Sequence, residues 1–363
     1  MRILQLSKYY PPTFGGVELV AEFFARASTE LGEAMDVVAL GADTRTYTGR
    51  HGERVWQCRE DVKLASSPFS LEYLRRVRRA LVEAPPAVIL VHLPHPFAHE
   101  VVKLLRPQIR AAGARVVGIY HSDIVNQRLL RDLYELHFLR DADAYDAWVC
   151  SSPNLRDSSP VLSRFSRLAV HVIPFCVHPP PPDAGVGGEE ADFIAIGRMV
   201  PYKGYEFLLE AVRGTSYRLT LVGDGPLLPR LRALAPPNVR FTGPVDDEEK
   251  YRLMRLHRAL VMSSVNRAEA YGMTIVEAFS VGLPVVAADI DTGVSFLVRE
   301  EQTGLKFPVR DVAGLRRSLE RIKDDAALRE QLARGASAFY ESELTFPAFA
   351  RRTSALLRAL AET

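Results

Sequence analysis

Short apolar runs alternating with longer helical patterns fill this chain in two sets, and a proline-rich stretch stands between them. The first set covers residues 3–6, 36–40, 88–92, 115–120, 147–150 and 171–174; the second covers 193–196, 218–222, 239–242, 259–262 and 284–288. Such alternation predicts α/β architecture, with parallel sheets covered by helices on both faces. The intervening IPFCVHPPPPDAGVGG cannot continue a helix or a central strand, so the domain boundary is placed there. At roughly 100–200 residues per domain, 363 residues suggest two doubly wound domains. We place them at residues 1–178 and 179–345, with a last helix near 346–361. Ligands are then expected in a cleft beyond the carboxyl ends of the strands.

Charge narrows the function classes. With 46 basic and 44 acidic residues, no nucleic-acid partner is implied. Cys58, Cys150 and Cys176 are odd in number and far apart, which argues for a reduced, cytoplasmic protein. No apolar run approaches the roughly 18 residues needed to span a bilayer. The opening MRILQLSKYYPP is too short for a signal-peptide core and reads as a first buried strand.

Residues 263–289, SSVNRAEAYGMTIVEAFSVGLPVVAAD, place Glu269 and Glu277 around the turn that opens a helix. Ile275, Val276, Ala278 and Phe279 repeat at helical spacing, and Gly282 and Pro284 supply a stop. The helix therefore starts near Gly272 to Thr274, where unpartnered N–H groups and the dipole suit a diphosphate. Carboxylates on either side are acceptors for vicinal hydroxyls, those of a hexose at Glu269 and of a ribose at Glu277. In GRMVPYKG, a strand ending at Gly197 is followed by Arg198 and Lys203, two cations able to neutralise a diphosphate leaving group. Gly223 in VGDGP and the Gly15-Gly16 pair in PPTFGGVE join other strands to helices, the latter before a helix starting near Val17. His121 directly follows the strand ending GIY.

The Glu269…Glu277 spacing, the GR…KG element and HSDIV followed by SSPN and SSP resemble a known family. They are similar to retaining glycosyltransferases of GT-B fold, in the large E-x(7)-E family (glycosyl transferases group 1, family 4). The likeness is nearest to mannosyl- and rhamnosyltransferases of bacterial polysaccharide synthesis. The resemblance implies two Rossmann-like domains facing across a cleft, an N-terminal one for the acceptor and a C-terminal one for the nucleotide-sugar donor. The last helix, residues 346–363, would pack back onto the first domain. Carried over by position, it implies His121 and Glu269 as catalytic residues. Donor binding would fall to Gly15, Gly16, Arg198, Lys203, Gly223, Tyr271, Gly272, Met273, Thr274 and Glu277, with Phe241-Thr242-Gly243 near the base. It further implies domain closure, retained configuration, no metal and no cofactor. The donor would be a nucleotide-diphosphate sugar, with GDP-mannose or a related GDP-sugar favoured over UDP-sugars. The acceptor would be a saccharide or lipid-linked saccharide of a surface polysaccharide such as lipopolysaccharide. Phe175-Cys176, His178 and Ser295-Phe296 depart from the family pattern, the first two at the hinge and the third on the acceptor side of the sugar.

Rival readings concern other clusters. His92, His95 and His99 have ligand-like spacing, but Pro94 and Pro96 are expected to break any helix aligning them, so no metal is assigned. Arg75-Arg76-Val77-Arg78-Arg79 and Arg106, Arg110 and Arg115 form either a solvated face or a peripheral contact with anionic membrane at the inner face. A nucleotide-sugar epimerase, a phosphorylase or a non-catalytic nucleotide-sugar-binding protein are the alternative functions.

Overall fold

A computed structural model describes residues 1–13, 15–64, 67–124, 138, 140–165, 169–182 and 191–362. Phe14, Val125 of the HSDIV stretch and linker residues 183–188 lie outside the described residues. The chain divides into two compact units, Met1–Cys176 with Phe346–Thr363, and Val177–Thr345. Among the described residues no helix is long and apolar enough to cross a membrane.

The first unit is built on strands β1 (Arg2–Leu6), β2 (Ala34–Gly41), β3 (Arg45–Thr48), β4 (Arg54–Arg59), β7 (Val88–Leu93), β8 (Arg115–Tyr120), β9 (Ala147–Cys150) and β10 (Ala169–Val172), in the order β10-β9-β8-β7-β1-β2-β4-β3. Two short strands, β5 (Val62–Leu64) and β6 (Ser67–Phe69), form a separate antiparallel pair. The β7 and β9 side chains are buried throughout, because helices cover both faces of the sheet there. Trp148 lies flat against Phe165 at 4.6 Å between ring centroids, with Phe138 and Tyr145 completing an aromatic cluster. Two expectations are corrected. β3 pairs antiparallel to β4 at the sheet edge, so the sheet is not wholly parallel, and β10 is Ala169–Val172 rather than 171–174.

The second unit has β11 (Ala191–Ile196), β12 (Leu219–Val222), β13 (Val239–Gly243), β14 (His257–Met262), β15 (Val285–Ala288) and β16 (Gly304–Phe307), all parallel, in the order β13-β12-β11-β14-β15-β16. β16 is unforeseen from sequence. The strand order reverses between β11 and β14, which makes the loops leaving those two strands neighbours. The Phe346–Ala361 helix packs on the first unit, where Phe349 meets Phe24 edge-on at 4.9 Å and Arg26 lies 3.6 Å over the Phe346 ring.

The basic patches are more neutral than the sequence implies. On the Leu71–Glu83 helix, Arg76 pairs with Glu72 and Arg79 with Glu83; Arg106 and Arg115 pair with Asp143 and Asp146. Arg75 and Arg78 are exposed.

Candidate functional site

The loop leaving β11 is fixed by main-chain bonds to its neighbour. Gly197 N–H donates to Val222 O at 3.0 Å, and Met199 N–H to Asp224 O at 2.7 Å. Gly223 is explained by this stitching, since a Cβ there would lie 2.3 Å from Gly197 O; its glycine serves loop packing. Arg198 is exposed and carries no ion pair among the described residues, whereas Lys203 is 9% exposed.

Lys203 meets the loop leaving β14. Its Nζ donates to Glu269 Oε2 at 2.6 Å, and the Ser264 hydroxyl donates to the same oxygen at 2.9 Å. Ser263 Oγ holds the Lys203 carbonyl at 2.9 Å, and Thr292 Oγ1 holds that of Glu269 at 2.8 Å, so both side chains spring from anchored backbone. Burial works against the Lys203 charge, but Glu269, Tyr205 and Tyr202 outweigh it and hold the ammonium above its ordinary range. Tyr205 was not foreseen. Its hydroxyl is buried without a hydrogen-bond partner among the described residues, beside Lys203 in the space over Gly197, and burial pushes it up to about 12. Nothing in sequence spacing marks it apart from the Lys203-Gly204 motif it follows.

The helix after this loop is Met273–Ser280. Gly272 caps it at φ 87°, a left-handed conformation that a side chain would strain. The N–H of Ile275 donates to Gly272 O at 2.8 Å, while those of Met273 and Thr274 lead the helix with no acceptor inside it. Tyr271 is buried, its ring against Gly293. Glu277 lies one turn in, but not as an unengaged carboxylate: Lys250 of the Asp247–Arg255 helix donates to it at 2.8 Å and also pairs with Asp247. Burial raises the Glu277 carboxyl above the usual range, and Lys250 only partly offsets that. Lys250 is 27 positions away, and no motif announces it. The Ser295-Phe296 departure packs inward, Phe296 edge-on to Phe339 at 5.6 Å and Ser295 Oγ donating to Asp289 and Ile290 O.

In the first unit, Gly15 caps the Gly16–Glu30 helix in extended conformation, and both glycines are exposed. His121 follows β8 and is 6% exposed, with His92 Nδ1 2.8 Å from its Nε2 and the Phe175 ring 5.4 Å away. Phe175, a hinge departure, thus packs against a candidate site residue. Burial depresses His121 to about 3, so the ring is neutral near pH 7 and acts as a hydrogen-bonding group. The expectation that Pro96 breaks a helix is corrected: it starts the Pro96–Leu104 helix at a position where no N–H is needed. His92 still lies on β7, His95 caps that helix, and His99 bonds the Tyr145 hydroxyl at 2.9 Å. Among the described residues no three His, Cys, Asp or Glu side chains gather as a metal site.

Comparison with known proteins bears on this geometry. Residues 14–179 match Glycosyltransferase Family 4, and residues 181–339 match Glycosyl transferases group 1. The chain is 32% identical to D-rhamnosyltransferase WbpZ of Pseudomonas aeruginosa over 362 residues, covering 95% of this chain and 92% of that protein. It is 33% identical to O-antigen chain mannosyltransferase C of Escherichia coli over 329 residues, covering 87% and 86%. Sucrose-phosphate synthase of Thermosynechococcus elongatus shares the fold, with a TM-score of 0.82 at 18% identity over 99% of both chains. The fold is therefore GT-B, and the chain belongs to the glycosyl transferases group 1, with a Family 4 first half: it is a glycosyltransferase.

Proposed function

We propose that this enzyme transfers a hexose, mannose or a rhamnose-type sugar, from a nucleotide-diphosphate sugar to a saccharide or lipid-linked saccharide in surface-polysaccharide synthesis. Transfer retains the anomeric configuration and needs no metal; GDP is the favoured nucleotide. The Val177–Thr345 unit serves the donor, the first unit serves the acceptor, and the protein works in the cytoplasm at the inner membrane face. The observation that carries this reading is the buried Lys203–Glu269 pair at the strand-order reversal, with the Met273–Ser280 helix following the same loop. The activities of the two relatives favour mannose or rhamnose.

In this reading Arg198, Lys203 and the leading N–H groups of Met273 and Thr274 neutralise the departing diphosphate. Glu277 accepts the ribose diol. Glu269, with Oε2 held by Lys203 and Ser264, offers Oε1 to hexose hydroxyls. A carboxylate that reads distal hydroxyls of the hexose is poorly placed to attack the anomeric carbon, and the departing phosphate takes the acceptor proton instead. His121 hydrogen-bonds the hexose, and the Gly15-Gly16 backbone approaches the β-phosphate.

The test is thermal stabilisation by UDP, GDP, ADP and TDP and their sugars in chelator. A ligand at 100 times its Kd stabilises by about 2.7 kcal/mol. One selective shift, with GDP-mannose or a related GDP-sugar, is expected. Glu277→Ala removes hydrogen bonds to a charged group worth roughly 1.5–3 kcal/mol, raising donor Kd about 10- to 100-fold with little change in kcat. No shift with any nucleotide overturns the donor site. For the membrane contact, reversing exposed Arg75 and Arg78 to Glu should reduce co-sedimentation with anionic vesicles, at about 1 kcal/mol per cation removed. Unchanged sedimentation refutes it.

A further inference from the structure

At the carboxyl ends of β7 and β8 two imidazoles face each other nitrogen to nitrogen. His92 Nδ1 and His121 Nε2 are 2.8 Å apart, the ring centroids are 5.1 Å apart with planes only 21° from parallel, and the residues are 2% and 6% exposed. One hydrogen must lie between these nitrogens, because two bare lone pairs would repel. Burial holds both rings neutral, so each carries a single N–H.

Two arrangements satisfy those conditions. If His121 donates from Nε2, His92 accepts at Nδ1 and must carry its own hydrogen on Nε2. That nitrogen is buried with no partner among the described residues, and an orphaned buried N–H is among the rarest of unmade hydrogen bonds. If His92 donates from Nδ1, its Nε2 keeps only a lone pair, and the ring sits edge-on to Phe24 at 5.7 Å. His121 then accepts at Nε2 and must carry its hydrogen on Nδ1.

We propose that His92 is a positioning residue whose Nδ1–H locks His121 in the Nδ1–H tautomer, so that the nitrogen His121 offers to the donor sugar is a hydrogen-bond donor. The role in turnover rests on the proposed hexosyl transfer; the tautomer does not. In water a free imidazole favours the opposite tautomer, so the lock has something to oppose.

Nitrogen-15 spectra of histidine-labelled protein separate the two claims, since protonated and bare imidazole nitrogens resonate far apart. Wild-type His121 is expected to show a protonated Nδ1 and a bare Nε2. His92→Phe keeps the ring's bulk beside Phe24 but removes the donor; it should release His121 to the other tautomer and lower kcat about a hundredfold, as for loss of one aligned donor, with donor KM little changed. His92→Asn places an amide N–H near the former Nδ1 and should restore most of the loss. A wild-type His121 carrying its hydrogen on Nε2 overturns the lock, and full kcat in a folded His92→Phe overturns its role in turnover. Should His92→Phe fail to fold, the wild-type spectrum and His92→Asn decide. If no nucleotide sugar is ever a substrate, the hexosyl reading fails while the spectrum still reports the tautomer.

Discussion

Glu269→Ala is expected to lower kcat by roughly 10²–10³-fold, as for loss of one preorganised transition-state contact, and to destabilise the second unit at the same time. The two effects share one cause. Lys203 and Glu269 are 9% and 8% exposed and bonded at 2.6 Å, so removing the carboxylate leaves a buried ammonium with no counter-charge at hydrogen-bond distance among the described residues. Breaking a buried pair from one side typically costs about 3–5 kcal/mol, whereas replacing both partners with apolar groups of similar volume is often neutral. Lys203→Met combined with Glu269→Leu should therefore regain most of the lost stability and none of the activity. Thermal melts beside initial transfer rates check this. An unchanged melting temperature in Glu269→Ala would mean that the pair is not closed in solution.

Mild acid is expected to unfold the first unit. His92, His95 and His121 are buried there as neutral rings, His95 and His121 pushed down to about 3 and His92 well below the ordinary 6.5, by burial in each case. The unfolded chain binds protons near 6.5 where the folded one does not. The stability held by these groups is thus complete above about pH 6.5 and is lost as pH falls below it, by roughly 2 kcal/mol per ring at pH 5. Both tryptophans, Trp56 and Trp148, lie in the first unit, so their fluorescence reports that unit alone. Denaturant midpoints should fall steeply between pH 7 and 5; a flat profile would show that the three rings take up protons without unfolding.

What sequence reading captured follows from burial. Central strands such as β7 and β9 are covered on both faces, so they appear as unbroken apolar runs. β3 is an edge strand with three of its four residues exposed, and β4 beside it has exposed arginines at both ends and a half-buried Gln57, so no run marks them; β16 is a four-residue strand containing a lysine. At the site, Arg198, Lys203, Glu269 and Glu277 were legible because short loops carry them at fixed offsets. Lys250 on Glu277, His92 on His121 and the bare Tyr205 hydroxyl were not. Each depends on which strands and helices become neighbours, and no local spacing encodes that. The pairing of Arg106 and Arg115 was hidden for the same reason, their carboxylate partners Asp143 and Asp146 lying far along the chain.

The Phe346–Ala361 helix imposes an order on synthesis. Val177–Thr345 is one continuous stretch and has every residue it needs before that helix leaves the ribosome, but the first unit does not. Until Phe346 and Phe349 arrive, Phe23 and Phe24 lack the aromatic rings of that helix, and their outward side stays uncovered. Between synthesis of the Gly16–Glu30 helix and that of the Phe346–Ala361 helix the nascent chain therefore carries an apolar strip, a natural handle for a ribosome-associated chaperone.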